Sequence, residues 1–231
     1  MKPKRERKGQ FIIIAVLLAA IMIISIGALL HTAVTYYKHE PWEEYSTLIG
    51  DIEVNTRRIL ELSLANYTNS VAGEEDASIL KTNIDKWQNN LTKIYPNSGI
   101  ILTYLSTPQF QTQSWNPRAA ADFMLDITTI GLSGYKFSLD SSLSLSIIEA
   151  SNSTTTSYTI TAIIQSEKGF VPNLRKSNFR VNGAEITAVL PSLSASNIPV
   201  YNIQYDGTFP ATLEVWDERG IRAVATASVL S

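Results

Sequence analysis

The feature that most constrains this chain is an uncharged apolar run, Phe11 to Leu30, close to its N-terminus. A helix rises about 1.5 Å per residue, so this run covers roughly 30 Å, the thickness of the hydrocarbon core of a bilayer. The sequence therefore predicts one membrane-spanning helix. Because no strong helix breaker stands between the end of this run and Pro41, we expect the helix to cover residues 10–40.

The charges on either side of this run predict its orientation. Five basic residues stand within residues 1–9, a short leader, whereas the stretch that follows the run is acidic on balance. Basic flanks tend to stay in the cytoplasm. We therefore expect a single-pass protein of the cell membrane, with a cytoplasmic N-terminus and an extracytoplasmic C-terminal region. The lipid bilayer is its first predicted partner.

The junction between leader and apolar run has the sequence Arg7-Lys8-Gly9-Gln10-Phe11. This order resembles the class III signal peptide of archaeal type IV pilins and pilin-like proteins. In that family a dedicated peptidase cuts after the Gly and leaves the apolar helix on the mature chain. The resemblance thus implies processing between Gly9 and Gln10. At the fifth position after the cut the chain has Ile14, where the bacterial pilin pattern has a Glu, which favours the archaeal type.

Two other interpretations of the N-terminus stay open. A secretory signal peptide has a shorter apolar core, of about 7 to 15 residues, and ends at a small-x-small cleavage site. No clean site of this kind follows the run, so this interpretation fits less well. An uncleaved signal anchor, in which Gly9 and Gln10 have no role in processing, is compatible with the same residues.

Residues 41–97 are predicted to form a helical hairpin. Apolar side chains recur at three- and four-residue steps on both sides of a polar break at residues 66–73, and a breaker cluster at residues 95–99 ends the second helix. Each helix then has one apolar face that needs a partner. The predicted apolar face of the first helix consists of Trp42, Tyr45, Leu48, Ile49, Ile52, Ile59 and Leu62.

From Gly99 onward the period of the apolar residues changes from 3.6 to 2, which is typical of half-buried strands. Turn residues separate the alternating segments, for example at residues 131–134 and at Asn182-Gly183. This pattern favours an antiparallel β-sandwich over residues 98–231. The fold class is therefore α+β: a long transmembrane helix, a helical hairpin and a β-rich extracytoplasmic region. We expect this β-rich region to fold without the membrane part.

The last part of the chain resembles the final hairpin of bacterial and archaeal immunoglobulin-like domains. A strand ends in Asp217, turns through Gly220 and returns as a strand rich in Thr, Ala and Val. The resemblance extends over about residues 150–231. Domains of this family mostly serve as spacers or adhesive modules, which is an analogy of fold and not of a site.

Composition argues against several functions. The chain has no Cys, and its two His residues, His31 and His39, lie close to the apolar run, so we expect neither a metal site nor a Ser-His-Asp triad outside the membrane. Of 19 Lys and Arg five lie in the leader, and of 21 Asp and Glu only Glu6 does, which leaves 14 basic against 20 acidic residues. This balance disfavours nucleic acid as a partner. We expect no enzyme and no cofactor.

Candidate modification sites occur at three N-glycosylation sequons, which begin at Asn66, Asn90 and Asn152. Their number is about what the Ser and Thr content alone would produce. Asn152 stands in a turn rich in Ser and Thr and is the best candidate of the three, because accepted sequons lie in surface loops.

One basic and aromatic cluster occurs in the β-rich region. It consists of Phe170, Arg175, Lys176, Phe179 and Arg180. The simplest interpretation is a solvated loop before a strand, and ligand binding is the alternative. The sequence contains no glycine-rich phosphate loop and no nucleophile elbow.

Together these features predict a membrane-anchored structural protein of the cell surface. Its expected role is that of a pilin-like subunit, or minor component, of a surface filament, associated with its own copies or with other pilin-like subunits. Ala15 and Ala19 lie four residues apart on one helical face, where small side chains permit close helix packing. The alternative is an uncleaved, single-pass ectodomain for adhesion or sensing.

Overall fold

A computed structural model describes residues 6–38, 42–70, 78–106, 108–111, 113–152 and 156–228, with side chains described outside 6–12, 33–38 and 42–44. The chain divides into two compact units, Met1–Asp51 and Ile52–Ser231. We call the latter the second unit. The domain limits drawn from the sequence, after residues 9, 40 and 97, stay predictions.

The described residues form three α-helices, α1 (Glu6–Lys38), α2 (Trp42–Asn69) and α3 (Ser78–Ile94). The apolar run lies inside α1, which is 33 residues long. The predicted end of this helix, near Glu40, lies outside the described residues. Further along the chain, the predicted helical pair is present as α2 and α3.

The strands of the described residues all follow the helices in sequence. They are β1 (Ile100–Tyr104), β2 (Gln109–Gln111), β3 (Arg118–Ile127), β4 (Leu132–Asn152), β5 (Ser157–Ser166), β6 (Gly169–Phe170), β7 (Phe179–Val181), β8 (Ala184–Glu185), β9 (Ala188–Leu193), β10 (Pro199–Asp206), β11 (Ala211–Trp216) and β12 (Arg222–Ala227). Short 3-10 turns occur at Thr128–Ile130 and Lys176–Asn178.

The larger sheet is antiparallel and has the order β1-β3-β4-β5-β10-β9, with β2 beside β3 and β6 beside β5. Its central feature is β4, a single strand of 21 residues. Residues 132–142 of β4 pair with β3, and residues 143–152 pair with β5. One continuous strand therefore belongs to both halves of the sheet.

The start of β4 corrects the sequence-based turn at residues 131–134. The turn lies earlier, at Thr128–Ile130, and Gly131 ends it with a positive φ of 68°. The pairing register shifts after Leu125, and the Gly134 N–H donates a hydrogen bond to the Asp126 carboxylate (2.6 Å). Gly134 therefore lies within β4, at the register shift, where the Asp126 side chain of β3 accepts its amide.

The smaller sheet has the order β12-β11-β7-β8. Its strands alternate between buried and more exposed residues, as in β11, where Ala211, Leu213 and Val215 are buried. Phe179 of β7 contacts Tyr201 of β10, with ring centroids 5.7 Å apart. The two sheets therefore pack against each other at this aromatic pair.

The buried face of α2 differs from the predicted one. Ile52, Leu60 and Leu64 are buried, whereas Leu62 is 53 % exposed. Thr56 and Ser63 are also buried and continue the same face, since each hydroxyl donates to the carbonyl four residues earlier (2.6 Å in both cases). The spacing of apolar residues alone did not predict this face. A Thr or Ser side chain can lie in a core when its hydroxyl donates a hydrogen bond to a carbonyl of its own helix.

The two buried hydroxyls also join α2 to α3. The Trp87 indole N–H donates to the Thr56 hydroxyl (2.9 Å), and the Asn83 amide donates to the Ser63 hydroxyl (3.0 Å). On the other side, the Tyr135 hydroxyl of β4 donates to the carboxylate of Glu53 in α2 (2.6 Å). The helical pair is therefore fixed to the larger sheet by polar as well as apolar contacts.

The prediction of an α+β fold is confirmed, because the structure has an apolar N-terminal helix, then further helices and antiparallel sheets. Alternation of apolar and polar residues predicts strands at residues 100–104, 123–127, 143–147, 158–164, 179–181, 200–202, 213–215 and from 224 onward, and all of these segments lie in strands of the structure, the last as far as Ala227. The strands missed by the sequence, β2, β6, β8 and β9, are short or lie at sheet edges, where alternation is weak. The immunoglobulin-like arrangement stays a prediction.

Candidate functional site

The predicted processing residues, Gly9 and Gln10, lie within α1, in the part whose side chains are not described. After them, Ile13–Thr32 is long and apolar enough to cross a membrane, with a mean hydropathy of 3.0. None of this stretch is buried, and Ile24 is 71 % exposed. So large an apolar surface needs lipid or other protein around it.

The three sequons lie far apart in the fold and on different elements. Asn66 is in α2, Asn90 is in α3 and Asn152 is the last residue of β4, and all three are exposed. The hydroxyl of Thr68, the third residue of the first sequon, accepts the backbone N–H of Arg222 (3.1 Å). Their use for glycosylation stays a prediction.

The predicted basic cluster extends from the end of β6 through the following loop into β7, and the Tyr201 side chain of β10 binds the backbone of this loop. The Tyr201 hydroxyl donates to the Val171 carbonyl (2.9 Å) and accepts the Leu174 N–H (3.2 Å). Leu174 itself is buried. The Phe170 ring stacks on Tyr201, with centroids 5.4 Å apart. Phe170 therefore supports the loop and does not line the basic cleft described below.

A second anchor of the loop is Asn178. Its side-chain oxygen accepts the Arg175 N–H (2.9 Å), and its amide nitrogen donates to the Trp216 carbonyl of β11 (2.9 Å). The Trp216 indole N–H in turn donates to Asn69 at the end of α2 (2.8 Å). The backbone that carries the basic side chains is thus hydrogen-bonded to both sheets and linked to α2.

The basic side chains border a cleft of about 540 Å³, which we call the basic cleft. Its lining residues are Arg175, Lys176, Ser177, Phe179, Arg180 and Glu185. Apart from Phe179, which is buried, these side chains are exposed. The Arg180 guanidinium lies over the Trp216 ring, 5.7 Å from its centroid. In the described part of the chain, Arg175, Lys176 and Arg180 form no ion pair with a carboxylate.

A largely buried ion cluster lies next to this loop, and no local sequence motif predicted it. It consists of Arg219 and three carboxylates, those of Glu61 in α2, Glu167 in the β5–β6 turn and Asp217 after β11. The guanidinium is 2.7 Å from Asp217, 3.0 Å from Glu167 and 3.7 Å from Glu61. The side chain of Arg219 is only 16 % exposed.

Arg219 also binds the middle of β4. One terminal nitrogen donates to the Ser141 hydroxyl (2.9 Å), and the other donates to the Ser142 carbonyl (2.9 Å). These residues stand where β4 changes its pairing from β3 to β5. The cluster thus connects α2, β4, the β5–β6 turn and the β11–β12 turn. Its four-element geometry indicates a structural role.

Hydrogen bonds and neighbouring charges keep Glu167 and Arg219 ionised. Burial alone would raise the pKa of Glu167, but hydrogen bonds from the Ser142 N–H and from its own amide, with the charge of Arg219, outweigh burial and lower this pKa. Burial likewise opposes the charge of Arg219, yet Asp217 and Glu167 raise its pKa. Both groups therefore stay ionised near neutral pH.

The described residues contain no group of three or more His, Cys, Asp or Glu side chains arranged to hold a metal ion. His31 is exposed on α1, and His39 lies outside the residues that the structure describes. Asp122 and Asp126 point to the same face of β3, but Asp122 accepts hydrogen bonds from Ser138 (2.6 Å) and Ser106 (3.2 Å). The absence of an enzymatic or cofactor function stays a prediction.

Sequence reasoning found the basic loop but missed its supports, Asn69, Tyr201 and Trp216. It also missed the pairing of Arg219 with Glu61 and Glu167, because these residues are far apart in the chain and no local motif joins them. No protein-family model, no curated protein and no solved structure matches this chain. Any function assigned to it therefore rests on its own residues and geometry.

Proposed function

We propose that this chain is a membrane-anchored structural subunit, or minor component, of a cell-surface filament, built in the manner of archaeal type IV pilins. The observation that carries the proposal is α1, a single helix whose apolar surface is exposed from residue 13 to residue 32. In this proposal, the N-terminus faces the cytoplasm, and the second unit is extracytoplasmic and immunoglobulin-like in part.

The N-terminal residues support a pilin-like origin for this helix. The basic leader precedes Gly9 and Gln10, and α1 runs through both without a break. A cut after Gly9 would remove the five basic residues of the leader and leave the apolar helix on the mature chain. The helix is then available both to lipid before assembly and to neighbouring helices afterwards.

The second candidate is an anchored ectodomain for adhesion or sensing, and the basic cleft favours it. The cleft is lined by three cations without an ion-pair partner among the described residues, on a region that has more acidic than basic residues. Such an ectodomain needs the same membrane helix but no contact between helices. The two candidates therefore differ in one requirement: after insertion, α1 must pack against neighbouring helices in the filament but not in the ectodomain.

A double substitution in α1 separates the two candidates. Replacing both Ala15 and Ala19 with Leu adds bulk on one helical face, where we expect a neighbouring α1 to approach closely. Membrane insertion should persist because hydrophobicity rises, whereas filaments should be lost or strongly reduced. Electron microscopy of the cell surface and cross-linking in membranes measure these outcomes.

The matched control is Ala28→Leu. Ala28 lies nine residues after Ala19, about two and a half helical turns, and therefore on the opposite side of α1. We expect this variant to insert and assemble like the parent. Equal assembly of all three proteins, or no oligomer of the parent, would support the solitary ectodomain instead.

A further inference from the structure

The basic cleft combines a charge excess with a rigid frame. Arg175, Lys176 and Arg180 contribute three positive charges, and Glu185 is the one acidic residue of its lining. Unpaired surface cations are common, but these three border one concave surface of about 540 Å³. That volume lies within the range of roughly 300–1,000 Å³ that is typical of small-ligand sites.

The frame fixes the backbone that carries these cations. The Arg175 backbone N–H donates to the Asn178 side chain, and the Arg180 guanidinium lies over the Trp216 ring. Phe179, which precedes Arg180, is buried and fixes the start of β7. A site whose backbone is already fixed loses less conformational entropy on binding.

We propose that the basic cleft binds an oxyanion group, that is, a carboxylate, sulfate or phosphate carried by a small ligand or by an acidic polysaccharide. The Arg175 and Arg180 guanidinium groups offer paired donors that match two oxygens of such a group. Lys176 adds a third charge, and the Ser177 hydroxyl adds a neutral donor. This site does not depend on filament assembly.

Glu185 moderates the affinity of the cleft. It lies on β8, directly opposite Arg180 in the pairing of β7 with β8. Its carboxylate repels an incoming anion and competes for the same cations. Glu185→Gln should therefore increase anion affinity severalfold, while preserving the side-chain shape.

The test uses the full-length protein in nanodiscs of phosphatidylcholine, which has no net charge. Titration calorimetry follows four probes: sodium sulfate, sodium phosphate, dextran sulfate and uncharged dextran. We expect binding of the anionic probes and none of uncharged dextran. Saturable binding of sulfate or phosphate identifies a small-anion site, whereas binding of dextran sulfate alone identifies a site for an acidic chain.

Variants decide whether the binding occurs in the cleft. Arg175→Gln with Lys176→Gln should weaken binding at least about tenfold, because two charge-assisted contacts are lost. Lys86→Gln with Lys93→Gln removes the same charge from exposed positions of α3 and should change little. No anion binding by the parent protein, or an equal loss in both double variants, would overturn the proposal.

Discussion

Replacing Arg219 with Met is expected to lower the free energy of unfolding of the second unit by about 3–5 kcal/mol. The substitution removes the cation that pairs with the carboxylates of Glu61, Glu167 and Asp217. It also leaves the Ser142 carbonyl without its guanidinium donor. Uncompensated buried charge is costly, because the low-dielectric interior does not replace the water that solvated it.

Urea unfolding of the full chain in a mild nonionic detergent, followed by Trp fluorescence, measures this change. The matched control is Arg118→Met, which breaks the exposed ion pair with Asp140 (2.6 Å). Because both partners of that pair face water, we expect a loss of only about 0–1 kcal/mol. Equal effects of the two substitutions would show that the Arg219 cluster does not stabilise the fold.

The pH dependence should also weaken at Glu167. In the parent protein the pKa of Glu167 is lowered by folding, so its contribution is present above the unfolded pKa and is lost as pH falls through the folded value. Without Arg219, only the two backbone hydrogen bonds still oppose burial, so the folded pKa should be higher than in the parent. The variant should therefore lose less stability than the parent on mild acidification.

Residues 98–231 expressed alone are expected not to fold cooperatively, contrary to the expectation from strand alternation. In the structure, α2 and α3 share the second unit with the strands. Their fully buried apolar residues within this unit are Ile52, Leu60, Leu64, Leu80, Ile84 and Leu91. Each such side chain contributes about 1.5–3 kcal/mol on burial, so together they are comparable with the whole net stability of a domain, about 5–15 kcal/mol.

Polar contacts strengthen this expectation. The fragment lacks Glu53, which binds Tyr135, and Asn69, which binds Trp216. Circular dichroism and thermal melting compare it with residues 42–231, which retain the whole of α2. We expect one cooperative melt for the longer fragment and none for the shorter one. Equal melts would show that the β-rich region is an independent domain.

The sequence predicted elements better than it predicted their partners. The spacing of apolar residues predicted α1 to α3 and the longer strands, because a helix or strand with one buried face repeats its apolar residues at a fixed period. It failed where polar side chains occupy that face, as Thr56 does in α2 and Ser141 does in β4. The continuation of β4 through Ser141 is stabilised by Arg219, a residue far away in sequence.

The candidate sites show the same limit. The basic loop was visible because Arg175, Lys176 and Arg180 are close in sequence. Its shape was not visible, because Tyr201 and Asn178 fix the loop through contacts that depend on the packing of two sheets. Local sequence patterns therefore predicted the basic residues, whereas the shape of the cleft that they border depends on contacts between residues far apart in the sequence.

The most direct test of the proposed function is the N-terminus of the mature protein. Mass spectrometry of protein purified from its native membrane should find a chain that begins at Gln10 and retains the apolar helix. This result follows if the leader is removed by a pilin-type peptidase after Gly9. A chain that still begins at Met1 or Lys2 would contradict the pilin-like account and identify α1 as an uncleaved signal anchor.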